Sequence, residues 1–106
     1  MAFIIKQNDT SPSFQVTLLD ANDVPILLTG AAARLHMKPL NGGSNLDVPM
    51  TIVSPTGGVV LYDWAAGDTT TAGTYSAEVQ VTYSDSSIET FPNDDRIAVV
   101  ITPELF

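Results

Sequence analysis

Cysteine is absent from this sequence, and positive charge is scarce. Without cysteine, the chain has no disulfide bond, no thiolate nucleophile and no cysteine-ligated zinc or iron–sulfur site. Only four lysines and arginines oppose twelve aspartates and glutamates, so the formal net charge is −8. A protein this acidic is repelled by phosphate backbones and by anionic membrane surfaces. We therefore expect neither nucleic acid nor a membrane as a partner.

Long apolar segments are missing as well. No run of apolar residues approaches the roughly 18 that a membrane-spanning helix needs. The opening residues 1–6 lack a charged region followed by a long apolar core, so we expect no signal peptide. At 106 residues and 44% hydrophobic composition, the chain is able to bury one core. It has no internal repeat, linker or low-complexity segment, so we expect residues 1–106 to form a single domain.

Histidine occurs once, which excludes any site that needs two imidazoles. His36 lies between Arg34 and Lys38 on the polar side of a predicted strand, so we interpret it as a surface histidine. The chain contains no Gly-x-Ser-x-Gly motif of a hydrolase nucleophile. Its carboxylates fall in turns that lack the ordered ligand spacing of a calcium loop. We expect no catalytic residue, no metal ion and no cofactor.

Short segments of alternating apolar and polar residues, separated by turn residues, run along the whole chain. This pattern is typical of β-strands. The longest alternation places Tyr75, Ala77, Val79, Val81 and Tyr83 on one side of a strand. Pro49 is expected to weaken its strand or to place it at a sheet edge. The predicted strands cover residues 3–6, 14–18, 26–28, 33–38, 48–53, 59–64, 75–83, 87–91 and 96–102.

The segment from Ala72 to Tyr75 is similar to a corner of immunoglobulin-type domains. In that corner, a tyrosine opens a central strand and its hydroxyl bonds back to the preceding backbone. Ala77 stands where antibody domains carry a cysteine. We predict an all-β fold, an immunoglobulin-like β-sandwich of about seven to nine short antiparallel strands. Tyr62 and Trp64 share a strand face with Val60, and we predict that this aromatic stripe belongs to the core.

Three features favour association with other proteins. Arg34 and Lys38 carry half of the formal positive charge on one strand face, with His36 between them, and such a stripe suits an acidic neighbour. The first residues are apolar and suit strand addition to another sheet. Two apolar residues also follow Pro103 at the end of the chain. The predicted partner contacts are Phe3, Ile4, Arg34, His36, Lys38, Leu105 and Phe106.

Several short segments occur in a distinctive order between about residue 4 and residue 101. They read IKQNDTSP, LLTGA, LHMK, YDW, GDT, AGTYSAE and ETFPND, and they begin at residues 5, 27, 35, 62, 67, 72 and 89. This set resembles small phage virion proteins related to the N-terminal domain of the phage baseplate upper protein. The resemblance implies a virion structural component with an immunoglobulin-like or related β fold, held by neighbouring virion proteins. It implies no enzymatic activity and no cofactor.

We therefore hypothesise that this chain is a phage virion structural protein, made in the host cytoplasm, that binds neighbouring subunits without catalysis. It is either a tail or baseplate accessory or a head decoration protein, and a second copy of the chain is a further partner to consider. Because larger baseplate proteins of this kind continue into helical and receptor-platform regions, we expect this chain not to be the long adaptor.

Two alternative functions make different demands on the structure. A carbohydrate- or host-surface-binding module requires Tyr62, Trp64 or Phe91 to be exposed in a shallow groove. A hydrolase requires His36 to lie beside a carboxylate and a hydroxyl in a pocket.

Overall fold

The computed structural model describes residues 2–41, 44–92 and 96–105, which form eight β-strands. The strands are β1 (Ala2–Lys6), β2 (Phe14–Thr17), β3 (Ala32–Pro39), β4 (Leu46–Ser54), β5 (Val59–Tyr62), β6 (Gly73–Thr82), β7 (Ile88–Phe91) and β8 (Ile97–Thr102). Within these ranges there is no helix, and hence none with the length and hydropathy to cross a membrane. The predicted all-β class is confirmed.

The strands join into one mixed sheet in the order β1-β8-β6-β3-β4-β5-β2, with β7 beside β6. The β1–β8 pair is parallel, and the other pairs are antiparallel. β6 pairs with β8 along its first half and with β7 along its second half. β4 passes from β3 to β5, and its register shifts between Ile52 and Ser54. Such a shift bends a strand and lets the sheet curl.

Aromatic side chains bring the two end strands of this path together. The ring of Phe3 in β1 packs edge-on against Phe14 in β2, with 5.3 Å between centroids. The indole of Trp64 lies 5.9 Å from the Phe3 ring and 6.1 Å from the Phe14 ring. The single mixed sheet is therefore nearly barrel-shaped. The more specific prediction, an immunoglobulin-like sandwich, is not confirmed by this strand path.

Two details of the predicted strands can be compared with the structure. Residues 26–28 form no strand, because the N–H of Ile26 donates to Leu18 whereas the N–H of Leu28 donates to Pro55. Bonds to two different partners do not make a ladder. Pro49 lies in the half of β4 that pairs with β3, whereas pairing with β5 begins at Thr51. β4 as a whole lies between β3 and β5, so the expected position of this strand at a sheet edge is not found, although Pro49 itself pairs on the β3 side only.

The core follows the predicted alternation along the strands. In β6 the side chains of Tyr75, Ala77, Val79 and Val81 are buried, and the residues between them face outward. Trp64 is only 4% exposed, which confirms its predicted place in the core. The remaining buried apolar residues are Ile5, Phe14, Val16, Leu18, Leu28, Ala33, Leu35, Met37, Met50, Val60, Phe91, Ile97, Val99 and Ile101.

Tyr75 forms the predicted corner at the start of β6. Its hydroxyl donates a hydrogen bond of 2.7 Å to the backbone carbonyl of Thr71, and its ring is buried. Burial also raises the pKa of the Tyr75 hydroxyl. The local tie between the corner and β6 is therefore present, as the sequence indicates.

Replacing Tyr75 by phenylalanine should lower the free energy of unfolding by about 1 kcal/mol, because the ring stays and only the hydrogen bond is lost. Urea unfolding followed by Trp64 fluorescence measures this change. An unchanged unfolding midpoint would show that the corner bond contributes nothing.

Candidate interaction surface

The outer side of β3 carries the predicted charged stripe. Arg34 and Lys38 are exposed and His36 is half-buried, whereas the alternating residues Ala33, Leu35 and Met37 are buried. Side chains of a strand alternate between its two faces, so burial of one set presents the other set to solvent. The structure therefore places three of the predicted contact residues in one row on a sheet, as expected.

Strand pairing sets acidic residues beside this stripe. His36 lies opposite Asp47 on β4 and opposite Glu78 on β6. Arg96, just before β8, lines the same open groove as His36, Lys38, Asp47 and Glu78. The groove has a volume of about 360 Å³. Its charged side chains, which are of both signs, lie on the outer face of the sheet, and the other face packs on the core.

Asp47 holds the stripe in a defined geometry. Its Oδ1 atom accepts a hydrogen bond of 2.8 Å from Nε of Arg34 and lies 3.2 Å from Nε2 of His36. Nη2 of Arg34 also lies 3.3 Å from the Asp47 carbonyl oxygen, to which it donates. The hydrogen bond from Arg34 is the main reason why the pKa of Asp47 is lower than usual. Arg34 is thus engaged within the chain, while Lys38 extends from the same strand.

The groove contains the three groups that a hydrolase requires, a hydroxyl, an imidazole and a carboxylate. Ser76 lines it together with His36 and Asp47. Over the described ranges, however, no hydrogen bond joins Ser76 to His36. Among the residues that the structure describes, no three histidine, aspartate or glutamate side chains converge in a way that would hold a metal ion. The geometry supports binding through charge, and it does not assemble a nucleophile with its base.

The predicted contacts near the chain ends lie apart from this groove. Ile4 is 63% exposed on β1, whereas its neighbour Phe3 packs on the aromatic residues that close the sheet. Leu105 is 89% exposed. The tail lies along the segment after β1, where Nδ2 of Asn8 donates to Glu104 across 3.3 Å. Phe106 is outside the described residues.

The aromatic residues named for a carbohydrate-binding module do not form an exposed platform. Trp64 and Phe91 are each 4% exposed. Tyr62 is half-buried, and its hydroxyl donates to Asp68 across 2.5 Å. Burial and the Asp68 carboxylate raise the pKa of Tyr62 to about 12. The structure thus lacks the feature that this alternative function required of these three residues.

Sequence reasoning missed two parts of the surface. Asp47 was not recognised as the partner of Arg34, because it lies one residue before the predicted strand 48–53, whereas β4 begins at Leu46. The apolar residues Leu19, Val24 and Leu27 are exposed between β2 and β3. Residues 26–28 were predicted to be a strand, and nothing local in the pattern distinguishes a strand from this exposed segment.

Comparison with known proteins agrees with the resemblance found in the sequence. The BppU N-terminal domain, the N-terminal domain of the baseplate upper protein, matches residues 4–93. That range contains strands β2–β7, part of β1, and both sides of the charged groove apart from Arg96. None of the curated proteins searched matches the chain. The chain belongs to the BppU N-terminal domain family and is a structural component of a phage baseplate or tail.

Proposed function

We propose that this protein binds neighbouring virion subunits through the charged groove and holds its place in the particle without catalysis. The observation that carries this proposal is the row of Arg34, His36 and Lys38 beside Asp47 on a rigid sheet face. Family membership supplies the setting, since baseplate and tail proteins act within an assembly. It also favours baseplate or tail over head decoration.

The groove suits a partner that presents carboxylates opposite Lys38 and Arg96. Charges that match across an interface guide docking and set its register. Because Arg34 is already bonded to Asp47, it helps to fix the shape of the surface before a partner arrives. Less ordering is then needed on binding, which favours affinity. Because the rest of the chain is acidic, the groove is the part of its surface that repels an acidic subunit least.

The finer parts of the hypothesis are also proposals. Residues 1–106 would form a single domain related to immunoglobulin-like folds, and the Tyr75 corner supports that relation. Phe3, Ile4, Leu105 and Phe106 would add contacts at the chain ends, and the exposure of Ile4 and Leu105 supports this. Other virion proteins, rather than a second copy, are the proposed main partners because the net charge of −8 opposes self-association.

The test is to rebind purified protein to phage particles that lack it. Lys38→Glu should weaken binding about tenfold, since it reverses a charge at the docking surface. Lys6→Glu is the matched charge reversal outside the groove, and because Lys6 is exposed near Leu105 its effect should be smaller than that of Lys38→Glu. Labelled protein that sediments with the particles gives the dissociation constant, and raising the salt concentration should weaken wild-type binding.

Two results would count against the proposal. Wild-type protein that fails to rebind would remove the virion-binding function altogether. Equal binding by wild type, Lys38→Glu and Lys6→Glu would show that the groove is not the docking surface. Unfolding midpoints of both variants must match that of the wild type, so that a loss of binding is not a loss of fold.

A further inference from the structure

The segment between β2 and β3 is an ordered hairpin, although no strand is assigned to it. The N–H of Ile26 donates to the Leu18 carbonyl across 2.9 Å, and the N–H of Asp20 donates to the Val24 carbonyl across 2.8 Å. Leu19 and Pro25 pair between these two bonds. We call residues 18–28 the hairpin loop. Its arms are paired from Leu18 to Asp20 and from Val24 to Ile26, and Leu28 is bonded instead to Pro55.

Both ends of the hairpin loop are anchored, and its tip is capped. Leu18 is 2% exposed and Leu28 is 1% exposed, and the N–H of Leu28 donates to Pro55 across 2.7 Å. At the tip, the Asp20 carboxylate accepts hydrogen bonds from the N–H groups of Asn22 and Val24. Capping of this kind satisfies a turn locally. The loop is therefore held rigidly against the sheet.

The anchored loop presents apolar side chains to solvent. Leu18 and Ile26 are opposite each other and face the core, so alternation directs Leu19, Pro25 and Leu27 outward. Leu19 is 40% exposed and Leu27 is 62% exposed. Val24, at the tip, is 52% exposed. A rigid loop that exposes several apolar side chains is typical of a protein-binding surface.

The charge around the loop indicates what kind of partner it fits. Asp20 and Asp23 lie at the tip, and residues 7–33 contain no lysine, arginine or histidine. A second copy docking through the same loop would bring these carboxylates together, and an anionic membrane would repel them. A complementary surface has an apolar recess bordered by lysine or arginine.

We propose that the hairpin loop is a second docking surface, which inserts Leu19 and Leu27 into an apolar, basic-rimmed recess of another virion protein. This inference rests on the proposed function and extends it. The loop leads into Ala32 at the start of β3, whereas Lys38 lies near the end of that strand. Six residues of strand span about 20 Å. The groove and the loop are thus far enough apart to contact two neighbours at once.

The test uses the same particles that lack this protein. Leu27→Ser should weaken rebinding about tenfold or more, because a leucine side chain no longer leaves water on docking. Ile88→Ser is the matched control, since Ile88 is also 62% exposed but lies on β7, outside the hairpin loop. Val24→Ser is a second loop variant, which should weaken binding less. Asp23→Asn should reduce the dependence of binding on salt concentration.

Several outcomes would overturn this inference while the proposed function stands. Wild-type binding by both Leu27→Ser and Val24→Ser, with Lys38→Glu still impaired, would show that the hairpin loop is not used. If the wild type sediments as a dimer and Leu27→Ser sediments as a monomer, the partner of the hairpin loop is a second copy of the chain. Wild-type binding to phosphatidylcholine vesicles that is lost in Leu27→Ser would identify a lipid surface. Failure of the wild type to rebind to particles would instead contradict the proposed function.

Discussion

Replacing Phe14 by alanine is expected to lower the free energy of unfolding by about 3–5 kcal/mol. Phe14 has no exposed surface, and its ring contacts those of Phe3 and Trp64. These contacts join β1 to β2, which are the two ends of the strand path and share no backbone ladder in the described part of the chain. Because only side chains join β1 to β2, no backbone hydrogen bonds would hold these two strands together once alanine has left a cavity between them.

Gln15→Ala is the control for this prediction, because Gln15 is the next residue of β2 and faces solvent. Its effect should stay within about 0.5 kcal/mol of the wild type. Urea unfolding followed by Trp64 fluorescence measures both variants, and the emission of folded Phe14→Ala should shift to longer wavelength as water reaches the indole. If Phe14→Ala cost no more than Gln15→Ala, the aromatic closure would not hold the sheet together.

The second large effect is expected for Gly58→Ala, at about 2–4 kcal/mol of lost stability. Gly58 has a φ of +67°, a left-handed conformation that disfavours a side chain. A Cβ atom there would lie 2.7 Å from the carbonyl oxygen of Leu18 and 3.0 Å from the nitrogen of Ile26. Those two atoms form the hydrogen bond at the base of the hairpin loop, so the clash falls on rigid backbone.

Gly67→Ala separates the two causes of this loss. Gly67 also has a positive φ, +95°, but a Cβ atom at this position would have no neighbour within 4 Å. The backbone conformation alone should then cost about 1–2 kcal/mol. Thermal and urea unfolding of the two variants measure the difference. Equal losses would show that the close approach of Gly58 to Leu18 and Ile26 does not matter for stability.

Much of the fold was predictable from the sequence because it depends on local alternation. The pattern from Tyr75 to Tyr83 predicts a strand with one buried face, and β6 has that face. The charged positions of β3 were predictable for the same reason, since burial of Leu35 and Met37 forces their neighbours outward. The Tyr75 corner was also predictable, because its hydrogen bond to Thr71 spans only four residues.

Other features were not predictable because they depend on which distant segments meet. Phe3 was expected to contact a partner, yet its ring packs on Phe14 and Trp64, and no local pattern indicates that contact. Whether Phe3 also meets a neighbouring subunit stays a prediction. The exposure of the hairpin-loop residues could not be predicted either, since an apolar segment has the same sequence pattern in a strand and in an exposed loop.

The all-β class, the faces of the strands, the place of the charged stripe and the family follow from the order of residues alone, because period-two alternation and short ordered motifs are local properties. The folded molecule was needed to show that one mixed sheet curls until β1 meets β2, that Asp47 holds Arg34, and that Leu27 is exposed to solvent. Each of these depends on residues that are distant in the sequence, and their contact energies arise only once the sheet has formed.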